Sequence, residues 1–267
     1  MLQVEKDLLQ TEPASPASSV GGIHISRGVR MRIPPGGLII SEEGPGMGVT
    51  RVELQLDTCV HWLEIALENL AAARSAHRAL LLAKGAGNDL AGLLDREFKS
   101  SVQASVAVAT FFEALYAVTL DRLPSKPTAH VPGKRQRRGR YVRVTEQLRK
   151  SFGLRKQGTS NLRLVLGEVY RFRDEAVHPS ATFAEPVLHP QLQIGVERRF
   201  VMFGYNNTLP LVRAALAFSK ILPSRDMSRR PKEMQEFAAY LLEVCAPLYA
   251  VWEETYGALL EEGPSVT

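Results

Sequence analysis

Cysteine is scarce in this chain of 267 residues, with two in all, Cys59 and Cys245. Each falls in an apolar pattern at helical spacing, which favours two buried, reduced thiols over a disulfide. Uninterrupted apolar runs of about 18 residues are missing, so no membrane span is expected. The opening MLQVEKDLLQ carries acids and no long apolar run, which argues against a signal peptide and makes the cytoplasm the expected location. A glycine-rich phosphate loop, a Gly-x-Ser-x-Gly elbow and a zinc pattern are also missing. His130 and His189 lack metal-ligand spacing and read as surface residues. His61 and His77 fall in a long helical pattern, facing solvent or satisfied in the core. No metal or other cofactor is therefore expected. No internal repeat is present.

What is there is an ordinary balance of 45% hydrophobic and 23% charged residues, enough for a sizeable core. The net charge of +5 is modest and favours an anionic partner only where the cations cluster. Residues 1–47 read as a flexible arm with a β-hairpin. TEPASPASSVGG offers little to bury. Ile23, Ile25, Val29, Met31 and Ile33 then alternate with polar residues, Pro34-Pro35-Gly36-Gly37 turns, and 38–40 returns as a second strand before a loop at 42–48.

Residues 48–262 read as a bundle of five or six helices, so the fold class is mainly α with small β elements. Val52, Leu56, Cys59, Leu63, Leu67, Leu70, Ala73 and Leu81 predict a helix from Val49 to about Lys84. A second long helix over 89–123 carries Leu94, Phe98, Ser101, Ser105, Ala109, Phe112, Tyr116 and Thr119. Its stripe is small in the middle, which admits a close neighbour, and the short link predicts an antiparallel pair. A basic loop over 124–143 gathers Lys134, Arg135, Arg137, Arg138, Arg140 and Arg143. Its one aromatic, Tyr141, makes no stacking platform, and a solvated tract competes with an RNA grip as its reading. A short helix spans 145–152. After Pro179 an insert over 180–208 holds alternating Leu192, Ile194 and Val196 and an apolar run at 200–203, read as strands able to pair with the N-terminal ones. Helices follow over 209–222 and from Pro231, where Met234, Phe237, Leu241, Val244, Leu248, Trp252 and Leu259 mark the buried face and Pro247 predicts a kink.

The most informative stretch is NLRLVLGEVYRFRDEAVHP over 161–179. Leu162, Val165, Leu166, Val169, Phe172 and Ala176 form one helical stripe, Thr159 and Ser160 offer N-cap hydroxyls, and Pro179 biases His178 out of the helix. The helix end thereby gathers Arg171, Arg173, Asp174 and His178. Arg173-Asp174, three residues and His178 resemble the Arg-x4–6-His signature of the HEPN family (higher eukaryotes and prokaryotes nucleotide-binding), in which Asn, Asp or His often follows the Arg. Arg171 also fits, at the longer spacing.

The resemblance implies a helical bundle, a metal-independent endoribonuclease acting in defence or as a toxin, and a homodimer with two motifs facing one cleft. It implies RNA as substrate and an antitoxin or nucleotidyltransferase as partner. It casts His178 as acid or base, Arg173 as phosphate clamp and Asp174 as the orienting group. Arg171 and the loop cations Lys134, Arg135, Arg137, Arg138 and Arg140 would bind nucleic acid. The residue types suit the chemistry, because histidine moves protons near neutrality and arginine is a permanent forked cation. On an ideal helix, however, Arg173 and His178 lie about 140° apart, and Arg171 and His178 about 20°. Arg173 converges on His178 only through an unwound helix end, a bent side chain or a second subunit.

Two other readings stay open. One is a non-catalytic HEPN-like bundle binding nucleotide, RNA or a partner protein. The other is an unrelated interaction protein, with His178 an ordinary helix-end residue, Asp174 its neighbour one turn back, and the arginines paired to Glu168 or Glu175.

Overall fold

Apolar residues at three- and four-residue steps become helices over most of the chain, and short alternating stretches become antiparallel strand pairs. The computed structural model describes residues 28–32, 39–41, 44–46, 53–83, 89–123, 139–178 and 182–260. The chain divides into two units, 1–56 and 57–267. The first contains β1 (Val29–Arg32), β2 (Ile39–Ser41), β3 (Gly44–Gly46) and β4 (Glu53–Leu56). β1 pairs antiparallel with β4, Val29 opposite Leu56, and β2 with β3, Ile39 opposite Gly46. The two strands expected in the arm are thus partnered by stretches expected to be loop and helix. Glu53 to Leu56 alternates as readily as it fits a helical stripe, and pairing to β1 decides between the two.

The second unit holds α1 (Cys59–Ala83), α2 (Leu90–Arg122), α3 (Arg140–Phe152), α4 (Lys156–Val177), β5 (Val187–Leu188), β6 (Gly195–Val196), α5 (Arg198–Met202), α6 (Tyr205–Ile221) and α7 (Lys232–Tyr256). α1 starts ten residues later than its stripe predicts, where the Asp57 carboxylate accepts the Cys59 N–H at 2.9 Å. α2 starts where expected, its first turn held by Asp89, which accepts the Gly92 N–H at 2.8 Å. α1 and α2 pack as the expected antiparallel pair, with His77 near the end of one meeting Glu97 near the start of the other. Leu80 takes the buried place and leaves Leu81 exposed. Both cysteines are buried, and neither forms a disulfide.

α2 is the axle of this unit and touches each of the other six helices described. By length and composition it could also cross a membrane. In this unit its apolar surface packs on helices instead. The reason for its central place is in its middle turns. Ser101, Ala104, Ser105, Ala107 and Ala109 are all buried and short, so neighbouring backbones approach closely, while Phe111, Phe112 and Leu115 fill the space beyond them. Leu63 and Leu70 of α1, Leu148 and Phe152 of α3, Leu162 and Leu166 of α4, Leu216 of α6 and Trp252 of α7 belong to the same core. Pro247 is accommodated inside a continuous α7.

Four other boundaries moved, each through a contact remote in sequence or a local hydrogen bond. α6 begins at Tyr205, inside the stretch expected to be insert, where Glu97 accepts the Tyr205 N–H at 2.8 Å. α3 begins at Arg140, inside the stretch expected to be loop, because Arg140 reaches Glu113 of α2 and Val144 and Leu148 are buried. α4 begins at Lys156, and Thr159 donates its hydroxyl back to the Arg155 carbonyl at 2.9 Å instead of capping the helix. The apolar run at 200–203 is helical, not extended. Glu197 accepts the Arg199 N–H at 2.9 Å, and Phe200 and Phe203 pack on Phe98 with centroids 4.8 and 5.9 Å away. Among the described residues, the insert's strands pair with each other, Val187 opposite Val196, as a sheet of two strands.

Where α2 ends, its carbonyls need a donor. Gln147 of α3, 2% exposed, supplies one amide to the carbonyls of Thr119 (3.1 Å) and Leu123 (2.9 Å). Gln147→Leu keeps the volume but removes the amide, leaving the Thr119 carbonyl with the Leu123 N–H at 2.9 Å and the Leu123 carbonyl without its amide donor. The expected loss is about 1–3 kcal/mol of unfolding free energy, read from urea denaturation.

Candidate functional site

The helix carrying the motif stops where its sequence predicts. Val177 is the last helical residue, and His178 donates its backbone N–H to the Asp174 carbonyl at 2.9 Å with φ −126°, outside the helical range that a following proline disfavours. The His178 side chain is exposed and makes no hydrogen bond or ion pair among the described residues. The Asp174 carboxylate pairs with Arg173, Nη1 to Oδ1 at 2.8 Å, and not with the histidine one turn on. Arg171 is exposed, paired to Glu168 at 2.6 Å, and rests 4.9 Å from the Phe172 ring centroid. Glu175 receives Arg198 of α5 at 2.6 Å, which ties the insert to the motif helix. Within one chain, no hydrogen bond or ion pair among the described residues joins either arginine to His178. For Arg173 that outcome follows from the angular separation on a regular helix, whereas Arg171, nearly in line with His178, stands two turns back and is held by Glu168.

Arg173 belongs instead to a polar cluster that composition and spacing did not reveal. Its guanidinium lies 5.6 Å from the Tyr170 ring centroid. The buried Tyr170 donates its hydroxyl to Glu113 Oε1 at 2.6 Å. Arg140 grips the same carboxylate, with Nε 2.8 Å from Oε1 and Nη2 also in contact with Oε2, and its guanidinium carbon sits 4.4 Å from the Tyr116 ring centroid. Glu113 on α2 therefore anchors both α3 and α4. Partial burial opposes its ionisation, but the Arg140 fork and the Tyr170 hydroxyl outweigh that, and Arg173 adds a smaller favourable field, so the carboxyl is held below its usual range. Burial first, then the acceptor Glu113, pushes the Tyr170 phenol well above its ordinary value. Beside this cluster lies an open depression of about 560 Å³, lined by Glu113, Tyr116, Ala117, Leu120, Asp121 and Arg140. The one signal in the sequence is a lone acid in an apolar run, Phe111-Phe112-Glu113-Ala114-Leu115.

Of the loop cations, Arg140 lies in α3 with its guanidinium held by Glu113, and Arg143 is exposed on the same helix. Lys134, Arg135, Arg137 and Arg138, like His130, lie outside the described residues. His189 is not a surface residue. It is 4% exposed, between β5 and β6, and its ring Nδ1 accepts the Leu192 N–H at 3.3 Å. Burial pushes its imidazole down, with Glu97 opposing and His77 reinforcing the shift. His77 itself is satisfied in the core by Glu97 at 3.0 Å. His61 pairs with Glu64 on its own helix, also at 3.0 Å. Among the described residues, no three His, Cys, Asp or Glu side chains come together as a metal-ligand set.

The Glu113 cluster has a pH signature. Its folded-state pKa is depressed, so its contribution to stability is present above the unfolded glutamate pKa of about 4.3 and is lost as pH falls through the lower folded value. Glu113→Gln leaves Arg140 without its carboxylate. It is expected to lose about 1–3 kcal/mol near neutral pH. The gap to the parent should close as pH is lowered below about 4.3. Denaturation midpoints of both proteins across pH 3–7 measure it, and a constant gap would remove Glu113 ionisation from the account.

Comparison with protein-family models, with curated proteins and with solved structures returns no match, and the functional reading rests on these residues and their geometry.

Proposed function

We propose that this protein is a HEPN-like, metal-independent endoribonuclease of the cytoplasm, working as a homodimer in a defence or toxin setting. The observation that carries the reading is the state of His178. It is exposed at the end of α4, one turn beyond Arg173-Asp174, with no intramolecular partner among the described residues. A histidine so placed is available to take the proton of an RNA 2′-hydroxyl or to protonate the leaving oxygen. Arg173 supplies the permanent, forked cation for the charge that develops on phosphorus. Asp174 orients that guanidinium through the 2.8 Å pair, and Tyr170 lies under it. Because Arg173 and His178 diverge on one helix, the complete site requires two copies of α4, each supplying the group that the other places badly. Residues 134–138 add electrostatic affinity and no proton-transfer group, and an antitoxin or nucleotidyltransferase partner would mask the cleft.

A specific observation favours the second reading, a non-catalytic bundle that binds nucleotide, RNA or a partner protein. Both motif arginines already have carboxylate partners, Arg173 with Asp174 and Arg171 with Glu168. An RNA phosphate must displace or share these to be clamped.

Cleavage assays separate the two readings. The protein should cut single-stranded RNA in the presence of EDTA and leave a 2′,3′-cyclic phosphate on the 5′ fragment. His178→Ala should lower the rate about 10²–10⁴-fold, the usual loss of a positioned proton-transfer group. Since His178 is exposed, stability should change by no more than about 0.5 kcal/mol. Arg173→Ala should also cripple cleavage, and Arg173→Lys should restore it only in part, because lysine keeps the charge and loses the fork. Undiminished cleavage by His178→Ala, or cleavage that depends on added metal, would leave the binding bundle as the better account. Sedimentation at micromolar concentration should give a dimer, and a monomer would remove the composite site.

A further inference from the structure

A second cationic site lies at the opposite end of α4 from the motif. The turn between α3 and α4 contributes Gly153 and Arg155, and the link between α6 and α7 contributes Arg225, Asp226, Arg229 and Arg230. Together these six line a pocket of about 330 Å³. Two of the arginines are built into the wall. Arg225 donates to the Gly153 carbonyl at 3.4 Å. Arg230 lies so close over Gly153 that a Cβ there would sit 2.5 Å from its Nη2. Gly153 closes α3 in the left-handed region at φ 65°, a turn that favours glycine. Arg225 and Arg230 are half-buried against this turn, while Arg155 and Arg229 are exposed at the mouth.

These arginines differ from the ion-paired ones of the bundle. Arg140, Arg149, Arg171, Arg173, Arg198 and Arg199 each pair with a carboxylate. None of the four pocket arginines does so among the described residues. The single acid in the lining, Asp226, turns its Oδ1 to the Ser228 N–H at 3.0 Å. Four arginines line the pocket with one acid, an excess of positive charge that favours an anion. The N-cap of α4 is Arg155 itself, which makes no side-chain cap, so the positive end of a 22-residue helix adds to the same field.

We propose that this pocket binds the phosphate group of a small phosphorylated ligand, a phosphomonoester or a diphosphate. Three features select that class. A surplus of three positive charges over Asp226 matches a multiply charged oxyanion better than a carboxylate or the singly charged phosphodiester of an RNA strand. Guanidinium forks pair bidentately with tetrahedral oxyanions. A volume of about 330 Å³ has room for a phosphate or a diphosphate. The pocket shares no residue with the Arg173–His178 motif, so the inference does not depend on the ribonuclease reading.

The full-length protein in chloride buffer, titrated with inorganic pyrophosphate and, separately, inorganic phosphate, tests it. Pyrophosphate should bind with saturable heat and raise Tm by several degrees at saturation, since a ligand of the folded state stabilises it. Arg155→Gln combined with Arg229→Gln should weaken binding at least tenfold. Both residues are exposed, so the fold should survive, which circular dichroism checks. Arg143→Gln, an exposed cation away from the pocket, should bind as the parent does. A nucleoside diphosphate arm identifies the source: tighter binding than pyrophosphate assigns a nucleotide, and equal binding assigns the phosphates alone. The proposal is overturned if pyrophosphate gives no more heat or thermal shift than an equal ionic strength of chloride. It is also overturned if the double variant binds as well as the parent, or if an RNA oligonucleotide with a 5′-hydroxyl end displaces pyrophosphate as effectively as pyrophosphate itself.

Discussion

Close packing around the short side chains of α2 is the constraint on which the helical unit depends. Ser101, Ala104, Ser105, Ala107 and Ala109 let other helices come near its backbone, and the aromatic pair Phe111 and Phe112 then fills the space that this approach would otherwise leave. A larger residue in those turns would separate the helices and uncouple the core, because interiors at crystal-like density have no slack to absorb it.

Two acids on that same helix convert packing into orientation. Near its start, Glu97 is 3% exposed, bonds His77 of α1 at 3.0 Å and accepts the Tyr205 N–H at 2.8 Å where α6 begins. Further along, Glu113 takes Arg140 of α3 and Tyr170 of α4. Burying a carboxylate is unfavourable unless it is paired and hydrogen-bonded, so each acid specifies which partner must be present and where. Glu113 thereby sets the rotation of α4 beside Arg173, and Glu97 sets the start of α6. The insert follows from the second of these: His189 is buried near Glu97 and His77, and Leu192 packs with Leu80 and Leu94.

The two ends of α4 carry different chemistry as a result. One end presents an exposed histidine beyond a paired arginine. The other sits among four arginines that have no acid partner among the described residues. A single helix, fixed about its axis by Tyr170 and Glu113, presents both, and neither end needs the core to rearrange.

Helix-forming stripes were legible wherever burial repeats at 3.6 residues. α2, the stop of α4 at His178 and the buried face of α7 all follow from periodicity and proline, which are local properties of the chain. The start of α1, the extension of α3 back to Arg140, the helical state of Phe200 and the pairing of β5 with β6 were not legible. Each depends on a partner distant in sequence, or on a side chain whose competing hydrogen bond no periodicity records. The same division runs through the candidate site. The sequence by itself placed Arg173, Asp174 and His178 at one helix end, because spacing on a helix is a local matter. Only the tertiary structure decided that Asp174 faces Arg173 and not His178, that Arg140 closes on Glu113, and that the arginines of two separate connections meet over Gly153, because charges far apart in the chain become neighbours only when packing brings their helices together.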